Sequence, residues 1–597
     1  MSLHKPLVKK TISPFKMERR VLVLASLLTL VALSDVHSRP AESHEWRWTC
    51  DLCRAAVWTL DTALLLQSDE QAVASALSKL CIRLHIADST VCTDTVQLFR
   101  HDVLTVLARS LLSPRSACGL LLGDSCGHWN GGASNWTVRF PGVPKPPVRP
   151  PVPPPPGTPV DRILFITDVH WDAAYKEGTN AECGEPLCCR EGDGLPAPGA
   201  VGAGYWGDYR KCDVPMRTIE SMLQHIATNA TFDFVYWTGD IPAHNIWQQT
   251  RMDQLRALDK VTGLFWQHFG ARVRVFPAVG NHESTPVNSF PPPFITGNLS
   301  SSWLYEEMAS NWSRWLPNDA LHTIRIGGFY TARVKPGLRV VSLNMNFCSA
   351  ENFWLLINDT DPAGQLHWFI DVLQAAETAG EKVHVIGHIP PGLCRKTWSW
   401  NYYRIINSFF LRYESTIAGQ FFGHVHTDKF EVFYDEQTLK RPLGIAFLAP
   451  SVTTFYDLNP GYRVYEVDGD RPDSSRMVLD HHTFFLNLSE ANASGGKSQP
   501  TWRLLYSARK VLGLSNAFPQ AWDDLVVRMQ KDYSLFDLFW ALLHTGHPPG
   551  LCRGGCRTAL LCSLRTGRSG DPDLCAGLVP AEKFKLMSDL LLSQRLC

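Results

Sequence analysis

Five short apolar runs in the middle of the chain each end in residues that bind metals. Ile163-Leu-Phe-Ile-Thr runs into Asp168-Val-His170, and Phe234-Val-Tyr-Trp-Thr-Gly into Asp240. Val275-Phe-Pro-Ala-Val-Gly runs into Asn281-His282-Glu283, Val383-His-Val-Ile-Gly into His388, and Phe421-Phe-Gly into His424-Val-His426. Runs rich in Val, Ile and Phe that alternate with helical segments read as buried strands of an α/β domain. Ligands at the carboxyl ends of such strands gather on one sheet edge, where α/β sites form. A single Asp-x-His is explained by an internal ion pair. The ordered series D-x-H, G-D, G-N-H-E, G-H, G-H-x-H would require five strands to end in ligands by accident, so it points to a metal centre.

The rest of the chain sets the context. A length of 597 residues implies about four domains. Basic residues up to Arg20 precede an apolar run, Val21 to Leu33, and the small-residue site Ala32-Leu33-Ser34. This reads as a secretory signal peptide and flank over 1–38, with no transmembrane segment in the mature chain. Seven Asn-x-Ser/Thr sites, at Asn135, Asn229, Asn298, Asn311, Asn358, Asn487 and Asn492, agree with a glycosylated secretory protein. Seventeen cysteines in small clusters suit disulfide-stapled modules, and the odd number leaves at least one outside any internal pairing.

Residues 46–128 hold Cys50, Cys53, Cys81, Cys92, Cys118 and Cys126 among helix-spaced apolar residues, which reads as an all-α domain. Cys50-x-x-Cys53 alone is compatible with redox or zinc chemistry; the helical surroundings and the leader favour disulfides. The segment 140–160 contains eleven prolines between Pro141 and Pro159 and reads as a semi-rigid polyproline spacer, free to let its flanks move. A catalytic domain is expected over 161–490 and a small helical, disulfide-bonded region over 491–597. The 57 basic and 57 acidic residues balance, which gives no electrostatic case for nucleic acid. The 21 histidines would turn the chain cationic in an acidic compartment and favour anionic lipid surfaces.

The ligand series resembles that of the calcineurin-like metallophosphoesterases, over roughly residues 160–485. The resemblance implies a β-sandwich flanked by helices. It also implies two metals, one held by Asp168, His170, Asp240 and His426, the other by Asp240, Asn281, His388 and His424. Imidazole and carboxylate ligands suit zinc, so two Zn2+ per chain are expected. Ala243 stands where purple acid phosphatases carry a tyrosine ligand, so an iron–tyrosinate centre is disfavoured. Gly239-Asp240-Ile-Pro-Ala-His244 departs from the G-D-x-x-D-R-G of phosphoprotein phosphatases. The six N-terminal cysteines resemble a saposin-type domain, which implies the pairs Cys50–Cys126, Cys53–Cys118 and Cys81–Cys92 and an apolar face that opens toward lipid.

From about residue 46 to the C-terminus the combination resembles the acid sphingomyelinase family. Further carriers are Tyr236-Trp-Thr-Gly-Asp-Ile-Pro-Ala-His244 and Ser342-Leu-Asn-Met-Asn-Phe-Cys348. This implies a lysosomal or secreted phosphodiesterase that cleaves sphingomyelin in membranes to ceramide and phosphocholine. It also implies the disulfides Cys183–Cys188, Cys189–Cys212, Cys348–Cys394, Cys552–Cys556 and Cys562–Cys575, leaving Cys597 as a free thiol. A ceramide alkoxide is a poor leaving group and needs a proton. His282 directly follows Asn281 and is expected to be the general acid, with His244 assisting. Two other readings compete: a secreted phosphodiesterase for nucleotides or other soluble diesters, and a non-catalytic lipid-binding protein on a dead scaffold. The saposin-like domain argues against the first and the complete ligand set against the second.

Overall fold

The protein is described by a computed structural model. It covers residues 70–110, 113–122, 136–393, 408–567 and 572–575, with positions 50, 51, 54, 57, 58, 126, 406, 577 and 578. The expected leader and the sites expected at Cys53, Asn135, Cys394 and Cys597 lie outside the described residues. The chain divides into two compact units, Met1–Asn130 and Gly131–Cys597.

The N-terminal unit is helical: α1 (Glu70–Arg83), α2 (Ser89–Arg109) and α3 (Pro114–Leu122). The Asp88 carboxylate accepts the backbone N–H groups of Thr90 and Val91, which starts α2 and stabilises it by about 1 kcal/mol. Leu77, Leu80 and Cys81 of α1 are buried, as are Val91, Cys92, Val96, Phe99 and Val103 of α2. Their spacing is that of an apolar helix face. Disulfides Cys50–Cys126 and Cys81–Cys92 staple the unit, and Cys118 is also disulfide-bonded. Such staples offset the small core of a module this size.

The second unit stacks two six-stranded sheets. The first contains β1 (Val160–Ile166), β2 (Phe234–Trp237), β3 (Arg274–Pro277), β10 (Gly461–Asp468), β11 (Val478–Leu486) and β12 (Trp502–Ser507), in the order β12-β11-β10-β1-β2-β3. The second contains β4 (Tyr330–Lys335), β5 (Leu338–Ser342), β6 (Lys382–Ile386), β7 (Ile417–Phe422), β8 (Lys429–Tyr434) and β9 (Pro442–Leu448), in the order β4-β5-β6-β7-β9-β8. β1, β2 and β3 are mutually parallel, as are β5, β6, β7 and β9. Between the layers, the Phe421 ring lies 5.4 Å from Tyr236 and 4.9 Å from Tyr465. Helices cover the outer faces: α4 (Met216–Asn229), α5 (Arg251–Phe269), α6 (Ser302–Trp312), α7 (Asn318–Gly327) and α8 (Gln365–Ala379). Phe265 of α5, for example, packs 4.6 Å from Trp237 of β2.

Two expected boundaries shift. No seam lies at residue 490, because β12 pairs with β11 beyond it. Helices α9 (Pro519–Lys531), α10 (Tyr533–Leu543) and α11 (Gly555–Leu564) share the sandwich core, with Trp522 of α9 against Phe430 at 4.5 Å. The proline-rich segment is not a free spacer along its length. Arg412 donates to the Val143 carbonyl at 3.1 Å, and Lys145 pairs with Glu414, so polar anchors hold it to the second unit.

Candidate metal centre

The parallel strands all point their carboxyl ends to one end of the sandwich. Asp168 and His170 follow β1, Asp240 follows β2, and Asn281 and His282 follow β3. His388 follows β6, and His424 and His426 follow β7. The turns that leave these strands are tight. Asp168, His170, Asp240, His424 and His426 all have positive φ, between 39° and 73°, a conformation that costs non-glycine residues energy. Neighbouring glycines make room for them. A Cβ on Gly280 would overlap Asp240 Oδ1, and one on Gly423 would overlap Thr167 Oγ1 and crowd Asp168 Oδ2.

Acceptors crowd together in the result. His388 Nε2 lies 2.9 Å from Asp240 Oδ2 and 3.8 Å from Asp168 Oδ1. His426 Nε2 lies 3.4 Å from Asp168 Oδ1 and 3.2 Å from His170 Nε2, which is itself 3.6 Å from Asp240 Oδ2. The His388 and His424 rings are 5.1 Å apart. His170 and His388 each donate Nδ1–H to a backbone carbonyl, of Pro242 at 2.8 Å and of Thr238 at 2.7 Å. Their Nε2 lone pairs therefore face other lone pairs and carboxylates. That arrangement repels itself unless cations sit among the donors. Asn281 Oδ1 is buried with no hydrogen-bond partner, a further donor atom left over for a cation. The residues thus fit a metal.

The electrostatics agree. Burial opposes a charge on His388, yet Asp240 and Asp168 push it up to about 9, so this anionic cluster draws in positive charge. Burial also opposes ionisation of Asp168 and Asp240, but His388 holds both carboxyls below their usual range. Burial pulls His424 down to about 3 and His170 well below 6.5, which keeps both as neutral donors.

His244 and His282 stand beside this cluster, their rings 4.0 and 4.8 Å from that of His170 and 4.7 Å from each other. They are held differently. His244 Nδ1 donates to the buried Asp213 carboxylate at 2.9 Å, which also accepts the His244 backbone N–H at 2.7 Å. Phe455 stacks on the His244 ring at 3.9 Å. His282 Nδ1 is buried without a partner, and burial pulls the ring down to about 4 against the pull of Asp240.

A model of the family described as calcineurin-like phosphoesterase matches residues 161–428. A sphingomyelin phosphodiesterase of Bos taurus is 58% identical over 553 residues, covering 92% of this chain and 87% of its own. One from Homo sapiens is 57% identical over 533 residues, 89% of this chain and 83% of its own. The chain belongs to the sphingomyelin phosphodiesterase family. A more distant relative, sphingomyelin phosphodiesterase B of Dictyostelium discoideum, is 38% identical over 510 residues, 84% of this chain and 77% of its own. The mixed sheets and flanking helices of this sphingomyelin phosphodiesterase family member are the calcineurin-like phosphoesterase architecture.

Two functional groups escaped the sequence. Asp213 stands alone after Cys212, with no motif to mark it. Glu283 was visible within Asn281-His282-Glu283, but not its task. Its carboxylate accepts the backbone N–H groups of Asp240 at 3.1 Å and Ile241 at 2.7 Å and so fixes the Asp240 turn. Burial, with Asp240 beside it, pushes Glu283 up to about 7. In the loop that carries Asp213, Cys183–Cys188 and Cys189–Cys212 are disulfides; Cys552–Cys556 and Cys562–Cys575 tie the C-terminal helices, and Cys348 is disulfide-bonded. Of the expected glycan sites, Asn229, Asn298 and Asn358 are exposed and Asn487 is half-buried. Two are corrected. Asn311 is buried and its Nδ2 donates to Glu307 at 2.8 Å; Asn492 Nδ2 donates to the Gly207 carbonyl at 3.0 Å.

Proposed function

We propose that the chain is a zinc-dependent phosphodiesterase of the phospholipase C type that hydrolyses sphingomyelin to ceramide and phosphocholine. What carries this reading is the convergence of the whole ligand series, in a chain aligned to sphingomyelin phosphodiesterases over nine-tenths of its length. Asp168, His170, Asp240 and His426 would hold one Zn2+, and Asp240, Asn281, His388 and His424 the other. When bound, the metals supply Lewis acidity toward the phosphodiester and toward water.

The chain's own groups handle the proton. Departure of ceramide as its alcohol requires one at the leaving oxygen. His244 is the donor in this reading, through Nε2–H. Its Nδ1–H is committed to Asp213, whose carboxylate stabilises the imidazolium and fixes its orientation. His282 lacks such a partner and serves as a neutral N–H that orients a phosphate oxygen. The roles are thus the reverse of those expected from chain position alone. Lipid access is assigned to the saposin-like unit, where Trp58, Ile82 and Leu84 are exposed. Cys53–Cys118 and Cys348–Cys394 complete the disulfide set, and the leader directs the chain to lysosome and exterior.

The test is a paired assay of vesicle sphingomyelin and a soluble nucleotide diester, with and without chelator. Chelator-sensitive preference for sphingomyelin is expected. Preference for the nucleotide, or turnover of neither, would sink the proposal.

A further inference from the structure

A second cationic site lies at the other end of the sandwich. A cavity of about 570 Å³ opens where the α6–α7 connection passes over β3, β4 and β5. Arg274, Arg314, Arg333 and Arg339 line it, with Trp315 and with Asp319 of α7. Arg274 is the first residue of β3 and Asn281 follows its last, so strand direction separates the cavity from the metal centre.

The charges there do not balance. Glu381 pairs with Arg339 at 2.8 Å and Arg333 at 3.4 Å. Arg274 is half-buried, and it donates only to the backbone carbonyls of Arg333, at 2.9 Å, and Val334. Neither Arg274 nor the exposed Arg314 pairs with a carboxylate among the described residues. Burial lowers the Arg274 pKa, as expected of a cation taken from water without a counter-ion. Trp315 is 6% exposed, and its indole N–H is buried without an acceptor. The positive end of α7, which begins at Asn318, borders the same space.

We infer that this cavity is a binding site for a phosphate-bearing anion, separate from the metal centre. Guanidinium forks match phosphate oxygens in pairs; Arg274 and Arg314, without carboxylate partners among the described residues, beside the Glu381-paired Arg333 and Arg339 and with a spare indole donor, suit a phosphomonoester dianion. An anionic lipid headgroup and free phosphate both carry that chemistry.

The experiment follows amide hydrogen exchange in the metal-loaded, full-length protein titrated with glycerol 3-phosphate. Protection is expected in residues 312–319 and 331–339, weaker at higher salt. Arg314→Ala/Arg333→Ala should shift its midpoint at least tenfold while leaving sphingomyelin turnover in detergent micelles unchanged. The charge reversal Arg314→Glu should do the same. Protection confined to the loops of the metal centre, or cavity protection undiminished in variants that retain turnover, would overturn the inference. A vesicle arm compares sedimentation with phosphatidic acid and with phosphatidylcholine. Binding to the former that the double variant loses assigns the lipid headgroup; binding that it retains, with glycerol 3-phosphate protection lost, assigns free phosphate.

Discussion

The two oxygens of Asp213 accept three hydrogen bonds, from the His244 ring, the His244 backbone and the Thr453 hydroxyl. An amide in its place keeps the shape and loses the charge. Asp213→Asn should therefore lower kcat toward sphingomyelin by about 10²-fold with KM little changed. His282→Gln should lower kcat by less than His244→Gln does; the opposite order would return the acid role to His282. A second residue links pH to stability. His384 is buried between Tyr236, whose hydroxyl meets Nδ1 at 2.8 Å, and the Arg476 carbonyl, which accepts Nε2–H at 2.7 Å. Burial holds it down at about 4. The unfolded chain takes up this proton near pH 6.5 and the folded chain only near 4, so its contribution is intact above 6.5 and fades as pH falls toward 4. Denaturant unfolding should show roughly 2 kcal/mol lost between pH 7 and 4.5 from this group, a slope that His384→Gln removes. The ligands could be read from residue type and spacing, because metals demand particular side chains. Asp213 could not, since any buried carboxylate looks alike until the fold brings His244 to it.

Strand ends rather than strands make the site. The ligand turns after β1, β2 and β7 leave their strands with positive φ, and Gly280 and Gly423 leave space where a methyl group would strike a ligand or its support. Gly280→Ala and Gly423→Ala should reduce bound metal by at least half, measured by elemental analysis, with the far-ultraviolet dichroism of the sheets preserved. A full metal complement in both would show that the turns can relax. The strands that carry ligands were legible because both faces are buried, which leaves continuous apolar runs. β12 was not. Its Leu504 is 52% exposed at a sheet edge, and a short run such as Trp502-Arg-Leu-Leu-Tyr506 fits a helical period as well as an alternating one. The boundary expected at 490 failed for that reason.

Across the whole molecule, net charge and the N-terminal unit bear on how lipid is reached. His384 and His481 are buried with pKa values held low, so they do not add to the cationic charge expected on acidification. No helix among the described residues is long and apolar enough to cross a membrane. Trp58, Ile82 and Leu84 are exposed on the N-terminal unit, so removal of residues 46–128 should cut turnover of vesicle sphingomyelin at least tenfold and spare a soluble phosphodiester; equal loss on both would make the unit structural. Cysteine clustering made the N-terminal module legible, whereas the anchoring of the proline segment rests on Arg412 and Lys145, which no local pattern marks. We propose a two-zinc centre, built from the ligand series, that hydrolyses sphingomyelin. Its most direct test is a zinc titration of the chelated protein, following phosphocholine release from sphingomyelin. Activity should rise from zero, saturate at two zinc ions per chain and stay absent in Asp240→Asn; turnover that survives chelation, or persists in Asp240→Asn, would contradict it.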